Sequence, residues 1–238
     1  MTQITTHYHT TKLKWPNYHR IINSAFPPKD LFDDISDPED WMLLGTGESK
    51  TNPRLSESAG NLDLISPDRR VTGLGSNYVM APFTHISTDR SGRFHDGTFG
   101  AFYAANKFET AVIETAYHYS NFYRATHEIA GWIVEMRELT GSINSKLVDI
   151  RSGDHQDILN PNNYTASQKL AIQLRNNSYE GIVYPSVRDD SGECVATFYP
   201  DTITIPSQGK HLIYHWDGYR IDQIKILGKE NLVYKITE

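Results

Sequence analysis

From Lys107 to about Tyr123 the chain carries Phe108, Val112, Thr115, Tyr119 and Phe122 at steps of three and four residues. That spacing predicts a helix with one largely apolar face. Just before it, "AFYAA" reads as a short buried strand ending at Asn106, a residue suited to cap the helix. "EIAGWIVEMREL" alternates as a strand does, "INSKLVDI" reads as another strand, and "TASQKLAIQLRNN" is a second amphipathic helix. Beyond it, "GIVYPS", "ECVATF", "TITIP", "HLIYHW", "YRIDQIKIL" and "NLVYKI" form a run of short strands separated by turn residues.

The N-terminal side is less regular. Residues 1–14 are polar and rich in Thr and His, the composition of a flexible tail. "WPNYHRII" (15–22) suits a first strand. Asp37-Pro38-Glu39-Asp40 has the residues of a helix start, because Asp caps, Pro fits the first turn and acids suit the positive dipole end. Residues 45–76 read as a long loop, 78–87 as extended, and 89–100 as a turn-rich loop with three glycines. No repeat or linker divides the chain. The elements predict an α+β fold: a β-rich core of mixed and antiparallel strands with flanking helices, in one domain over 15–238.

Composition narrows the function classes. The 238 residues are 38% hydrophobic and 11% aromatic, enough for a substantial core. A net charge of −6 provides no long-range basic field for nucleic acid or anionic membrane. No stretch has the length and apolarity of a membrane span, and the start lacks a secretory signal, so a cytoplasmic protein is the expectation. The single cysteine, Cys194, excludes an intramolecular disulfide and lies in an apolar strand, where a packed thiol is expected. The ten histidines show no HExxH pattern, and no metal is expected.

Several residues stand out chemically. Glu114 lies at the border of the helix's apolar face, which suits either a solvated rim carboxylate or a group at a pocket mouth shared with Tyr103. Arg93, in "SGRFHDG", is either a surface charge or a guanidinium offering paired donors to a phosphate between flexible turns. Arg20 sits in an apolar run, where a cation needs a partner. Ser186 follows Tyr184-Pro185 at a strand end. Tyr184 and Arg188 occupy the glycine positions of GxSxG, so a nucleophile elbow is absent and hydrogen bonding is the better role. "GLGSNY" (73–78) lacks the third glycine of GxGxxG and precedes no helical pattern.

Two stretches, "SGRFHDGTFGAFYAANKFETAVIETAYH" and "EGIVYPSVRDDSGECVATFYPDTI", with a weaker one in "YHRIINSAFPP", resemble the RES-domain proteins, toxins of bacterial Xre–RES toxin–antitoxin pairs. The family's arginine segment falls on Arg93, its Leu-Tyr-x-Ala strand on Phe102–Ala105, and its Ala-x-x-Glu helix on Ala111 and Glu114. Its serine falls on Ser186, followed by Ala196 and Phe198, and its early arginine on Arg20. Two departures are the long insert around 23–88 and Ile21 in place of the family's tyrosine. The segment after 205 also extends the usual end.

The resemblance implies an ADP-ribosyltransferase-like fold that takes NAD⁺ as a substrate, with no separate cofactor, and breaks its nicotinamide–ribose bond. Phosphorolysis would give ADP-ribose-1″-phosphate, hydrolysis would give ADP-ribose, and transfer to a macromolecule is the alternative. A non-catalytic NAD-binding interaction module is a further reading. On this resemblance Glu114 stabilises the sugar cation, and Arg20 and Arg93 grip the diphosphate or an incoming inorganic phosphate. Ser186 hydrogen-bonds the ribose or a phosphate oxygen, Tyr103 walls the nicotinamide end, and Arg188 reaches phosphate or pairs with Asp189 or Asp190. Implied partners are a protein antitoxin and a second copy in a homodimer, with no direct nucleic-acid or membrane binding.

Overall fold

The computed structural model describes residues 8–25, 60–228 and 233–236. Among these the strands are β1 (Thr10–Asn23), β2 (Phe102–Ala105), β3 (Gly131–Asp149), β4 (Gly181–Pro185), β5 (Glu193–Thr197), β6 (Ser207–Trp216), β7 (Ile221–Ile226) and β8 (Val233–Lys235). The helices are α1 (Asn77–Thr84), α2 (Phe108–Thr126) and α3 (Thr165–Asn176). The order is β1-β2-β5-β4-β3-β6-β7-β8, and β1 also pairs with β3. That extra pairing closes β1, β2, β5, β4 and β3 into a ring, from which β6, β7 and β8 extend. Only β3 and β4 run parallel, joined through α3 as a crossover demands. The mixed sheet with flanking helices is the expected α+β architecture.

Alternation along β4 and β5 divides the core between two faces. Ile182, Tyr184, Cys194 and Ala196 pack on the side of α2 and α3. Val183 and Val195 pack with Val79, Met80 and Phe83 of α1, and with Leu13, Trp15 and Tyr18 of β1. A nearly buried carboxylate ties β1 to β3 and β6. Glu138 bonds His19 Nδ1 at 2.6 Å through Oε1, and its Oε2 accepts from Lys210 N at 3.0 Å and Lys210 Nζ at 3.3 Å.

Several local expectations need correction. The first strand begins at Thr10, not Trp15, with Thr10 opposite Val148 and Leu13 opposite Ser145. Residues 10–14 are therefore ladder residues and not tail, because Leu13 alternates into the core. "EIAGWIVEMREL" and "INSKLVDI" are one continuous strand, β3. Residues 78–84 are helical, with Pro82 inside α1, where buried Tyr78, Val79, Met80 and Phe83 outweigh the missing donor. Lys107, not Asn106, caps α2 in extended backbone, while Asn106 Oδ1 accepts from Glu193 N at 2.9 Å. The inner face of α2 runs Phe108, Ala111, Val112, Ala116, Ser120, Tyr123, and Phe122 points to solvent. "TITIP" contributes only a bridge, Ile143 to Ile203. The helix start at Asp37 and most of the 23–88 insert lie outside the described residues.

Candidate active site

β4 ends at Pro185, and Ser186 opens a tight loop closed by its N–H to the Gly192 carbonyl at 2.9 Å. Inside that loop the Ser186 hydroxyl accepts from Arg188 N at 3.2 Å and Asp189 N at 3.1 Å. Its proton goes to Glu114 Oε1 at 2.6 Å. One donor and two acceptors exhaust what a hydroxyl offers. The loop is pinned to the start of α2. Thr110 Oγ1 donates to Asp189 Oδ2 at 2.5 Å, and Lys107 Nζ donates to Ser191 O at 2.6 Å. Asp189 thus faces the helix. Burial raises the Asp189 carboxyl, but bonds from Thr110 and Ser191 outweigh it and hold the group below its ordinary range. Gly192 is needed for this contact, since a Cβ there would collide with the Thr110 side chain and lie 2.8 Å from Asp189 Oδ2.

Glu114, on the second turn of α2, receives Arg188 on its other oxygen. Arg188 Nη1 lies 3.3 Å from Glu114 Oε2. Pairing with Asp189 or Asp190, one of the two alternatives for Arg188, gives way to this one because Arg188 turns back over α2, its Cζ 3.6 Å from the Tyr117 ring centroid. Tyr117 is three residues past Glu114, hence on the same helix face. Arg188 Nη2 also donates to Pro161 O at 3.2 Å and Tyr164 Oη at 3.3 Å. The Tyr164 ring also meets Arg93, whose Cζ stands 4.6 Å from the ring centroid. Arg93 is buried, and its Nη1 donates to Ile158 O at 3.1 Å and Asn160 O at 2.8 Å.

The loop carrying Arg93 is fixed from behind. Tyr103 Oη accepts from Phe94 N at 2.8 Å, Phe94 packs on Tyr184 with ring centroids 4.8 Å apart, and Gln168 Nε2 donates to Gly92 O at 3.0 Å. Gly97 turns the loop at φ +91°, where a Cβ would strike Ser87 and Thr88. Burial pushes the Tyr103 phenol well above its usual range, so it stays protonated. Arg20, on β1, lies beside Tyr103, its Cζ 4.6 Å from the Phe102 ring centroid and its Nη1 2.8 Å from Tyr103 O. Burial lowers its pKa to about 10.

The structure therefore joins Glu114, Ser186, Arg188 and Arg93 in one cluster and backs it with Tyr103, whose phenol lies within electrostatic reach of both Arg93 and Arg20. Sequence reasoning missed Tyr117 and Tyr164, the aromatic faces that hold the two arginines, although the Tyr117 spacing from Glu114 signals a shared helix face. Among the described residues no group of three or more His, Cys, Asp and Glu forms a metal cage. No helix there is long and apolar enough to cross a membrane. An open depression of about 820 Å³ runs along residues 153–161, the loop whose carbonyls the arginines hold. Another, of about 530 Å³, lies at Lys12, Arg69, Lys146 and Glu180, away from the cluster.

Comparison with known proteins gives the family of the chain. The model of the RES domain matches residues 67–217. The uncharacterized protein y4oC of Sinorhizobium fredii (strain NBRC 101917 / NGR234) is 27% identical over 205 residues, covering 86% of this chain and 84% of that protein. Among solved structures, a chain of the M. tuberculosis MbcT–MbcA toxin–antitoxin complex aligns with a TM-score of 0.37 and 15% identity. That alignment covers 53% of this chain and 72% of the other. Arg20 precedes the matched span, whereas Arg93, Glu114, Ser186 and Arg188 fall inside it, and the chain belongs to the RES domain family.

Proposed function

We propose that this protein cleaves the nicotinamide–ribose bond of NAD⁺, with phosphate or water accepting the ADP-ribose, as the toxin of a bacterial toxin–antitoxin pair. The observation that carries the reading is the Glu114 carboxylate, held by Ser186 on one oxygen and Arg188 on the other, with Arg93 one tyrosine ring away. Family membership and the order of these residues supply the substrate class.

The chemistry fits a fixed carboxylate. As the C1″–N bond breaks, its electron pair leaves on the pyridine nitrogen and nicotinamide departs neutral. Positive charge grows on the ribose, and Glu114 stabilises it. An anionic oxygen of phosphate then bonds C1″, or a water oxygen does so and gives its proton to the surroundings. Arg93 and Arg188 face the anionic part of the substrate. Because the Ser186 proton is committed to Glu114, we assign Ser186 to positioning the carboxylate and not to gripping ribose or phosphate. A protein antitoxin would act by covering this cluster.

The test mixes purified protein with NAD⁺, with and without phosphate, and follows free nicotinamide. Release in either condition is expected, and the sugar product identifies the acceptor. Label from NAD⁺ retained on a macromolecule, with little free product, would establish transfer instead. No release from folded protein overturns the reading.

A further inference from the structure

Arg93 and Arg188 spend their donors on one short stretch of main chain. Arg93 Nη1 holds the Ile158 and Asn160 carbonyls, and Arg188 Nη2 holds that of Pro161. Tyr164, at the end of the same stretch, lies against Arg93 through its ring and accepts from Arg188 through its hydroxyl. Tyr117 Oη reaches across from α2 to Asn162 Oδ1 at 3.2 Å. Residues 158–164 thus form a strap over the helix face that carries Glu114 and Tyr117.

The two cations are nevertheless incompletely served. Arg93 Nη2 and Arg188 Nε are buried without a hydrogen-bond partner, and Arg93 as a whole is 6% exposed. A buried donor left unpaired is costly, and a neutral carbonyl is a weaker acceptor for a guanidinium than an anionic oxygen. Against two guanidinium groups the cluster sets one carboxylate, Glu114, so it is net positive. Asn160 through Asn163 are exposed, so water can take over the Asn160 and Pro161 carbonyls, while Ile158 and Leu159 pack against the core at the strap's root. The turn is also held internally, with Asn160 Oδ1 accepting from Asn162 N and Asn163 N, both at 2.9 Å.

We propose that Arg93 and Arg188 form a single anion site masked by this strap, and that a diphosphate-bearing ligand binds by taking their donors from the Ile158, Asn160 and Pro161 carbonyls as the strap lifts. The inference deepens the reading above and rests on it for the identity of the ligand.

The test uses the full chain and calorimetric titration with two probes, inorganic pyrophosphate and ADP-ribose. Tyr117→Phe and Asn162→Ala each remove the tie between strap and helix, and Tyr117→Phe keeps the ring beneath Arg188. Both variants should bind both probes about three- to tenfold more tightly, the worth of one hydrogen bond that no longer has to be broken. Unchanged or weaker binding in both variants overturns the proposal, as does failure of the wild type to bind either probe. Turnover is not read here, so the two readings fail separately. Tighter binding without nicotinamide release would sink only the enzyme assignment, and nicotinamide release with unchanged binding would sink only the strap.

Discussion

The Ser186 hydroxyl and the Glu114 carboxylate meet at 2.6 Å across 72 residues of sequence. The same hydroxyl accepts two backbone N–H groups of its own loop, so it aims the carboxylate and shapes the turn together. Ser186→Ala should strand those amides and free Glu114, costing about 1–3 kcal/mol in denaturant unfolding. It should slow nicotinamide release while leaving the affinity for ADP-ribose near wild type. A selective loss of affinity would instead make Ser186 a ligand contact.

Glu114→Gln keeps an acceptor for Ser186 but removes the charge proposed to stabilise the sugar cation. Nicotinamide release should fall about 10²- to 10³-fold, the range for losing a preorganised electrostatic group. Thermal unfolding should also come earlier, because Arg188 loses its counter-ion. Wild-type turnover in this variant would refute the role given to the carboxylate.

Gly192→Ala tests the loop without touching a proposed active-site group. Its Cβ would collide with Thr110, which is fully buried and held against Asp189. Overpacking of this kind costs about 1–3 kcal/mol. Turnover should drop even at temperatures where the variant remains folded, since Ser186 N is anchored on the Gly192 carbonyl.

Stability should carry the signature of Glu138. Burial pushes its carboxyl upward, but His19 and the amide and ammonium of Lys210 outweigh this and hold it at about 2. A depressed carboxylate pKa stabilises the fold above the ordinary value of 4.5 and loses that contribution as pH falls toward 2. The unfolding free energy should therefore decline through that window by at most about 1.4 kcal/mol per pH unit from this group. Glu138→Gln should flatten that slope, as equilibrium denaturation at stepped pH would measure.

Cys194 should resist thiol reagents in the native protein. It is buried in β5, and that burial pushes its thiol far above the ordinary range. Labelling should appear only with unfolding, and rapid modification of folded protein would contradict the packing.

Much of this was legible in advance because it rests on local periodicity. Existence of α2, α3 and the late strands followed from apolar spacing, and Arg93, Glu114 and Ser186 followed from motif order. What failed was decided by distant partners. Thr10–Lys14 look like a tail until β3 supplies the opposite ladder, and "YVMAPF" looks extended until a sheet face buries Tyr78, Val79, Met80 and Phe83 as a helix. The Arg188–Glu114 pair was beyond reach for the same reason. Nearby Asp189 and Asp190 are the obvious partners in sequence, and only the fold brings α2 closer than they are.

The ring closed by β1 and β3 carries a consequence for biosynthesis. Leu13, Trp15 and Tyr18 emerge early from the ribosome, but the strand that pairs with them reaches Val148 before the ladder is complete. Until then those apolar side chains have no sheet to join, and Glu114 waits longer still for a hydroxyl at position 186. Nascent chains that have not yet reached Ser186 lack the assembled centre, so the Glu114 carboxylate has no hydroxyl to hold it until that loop has been made.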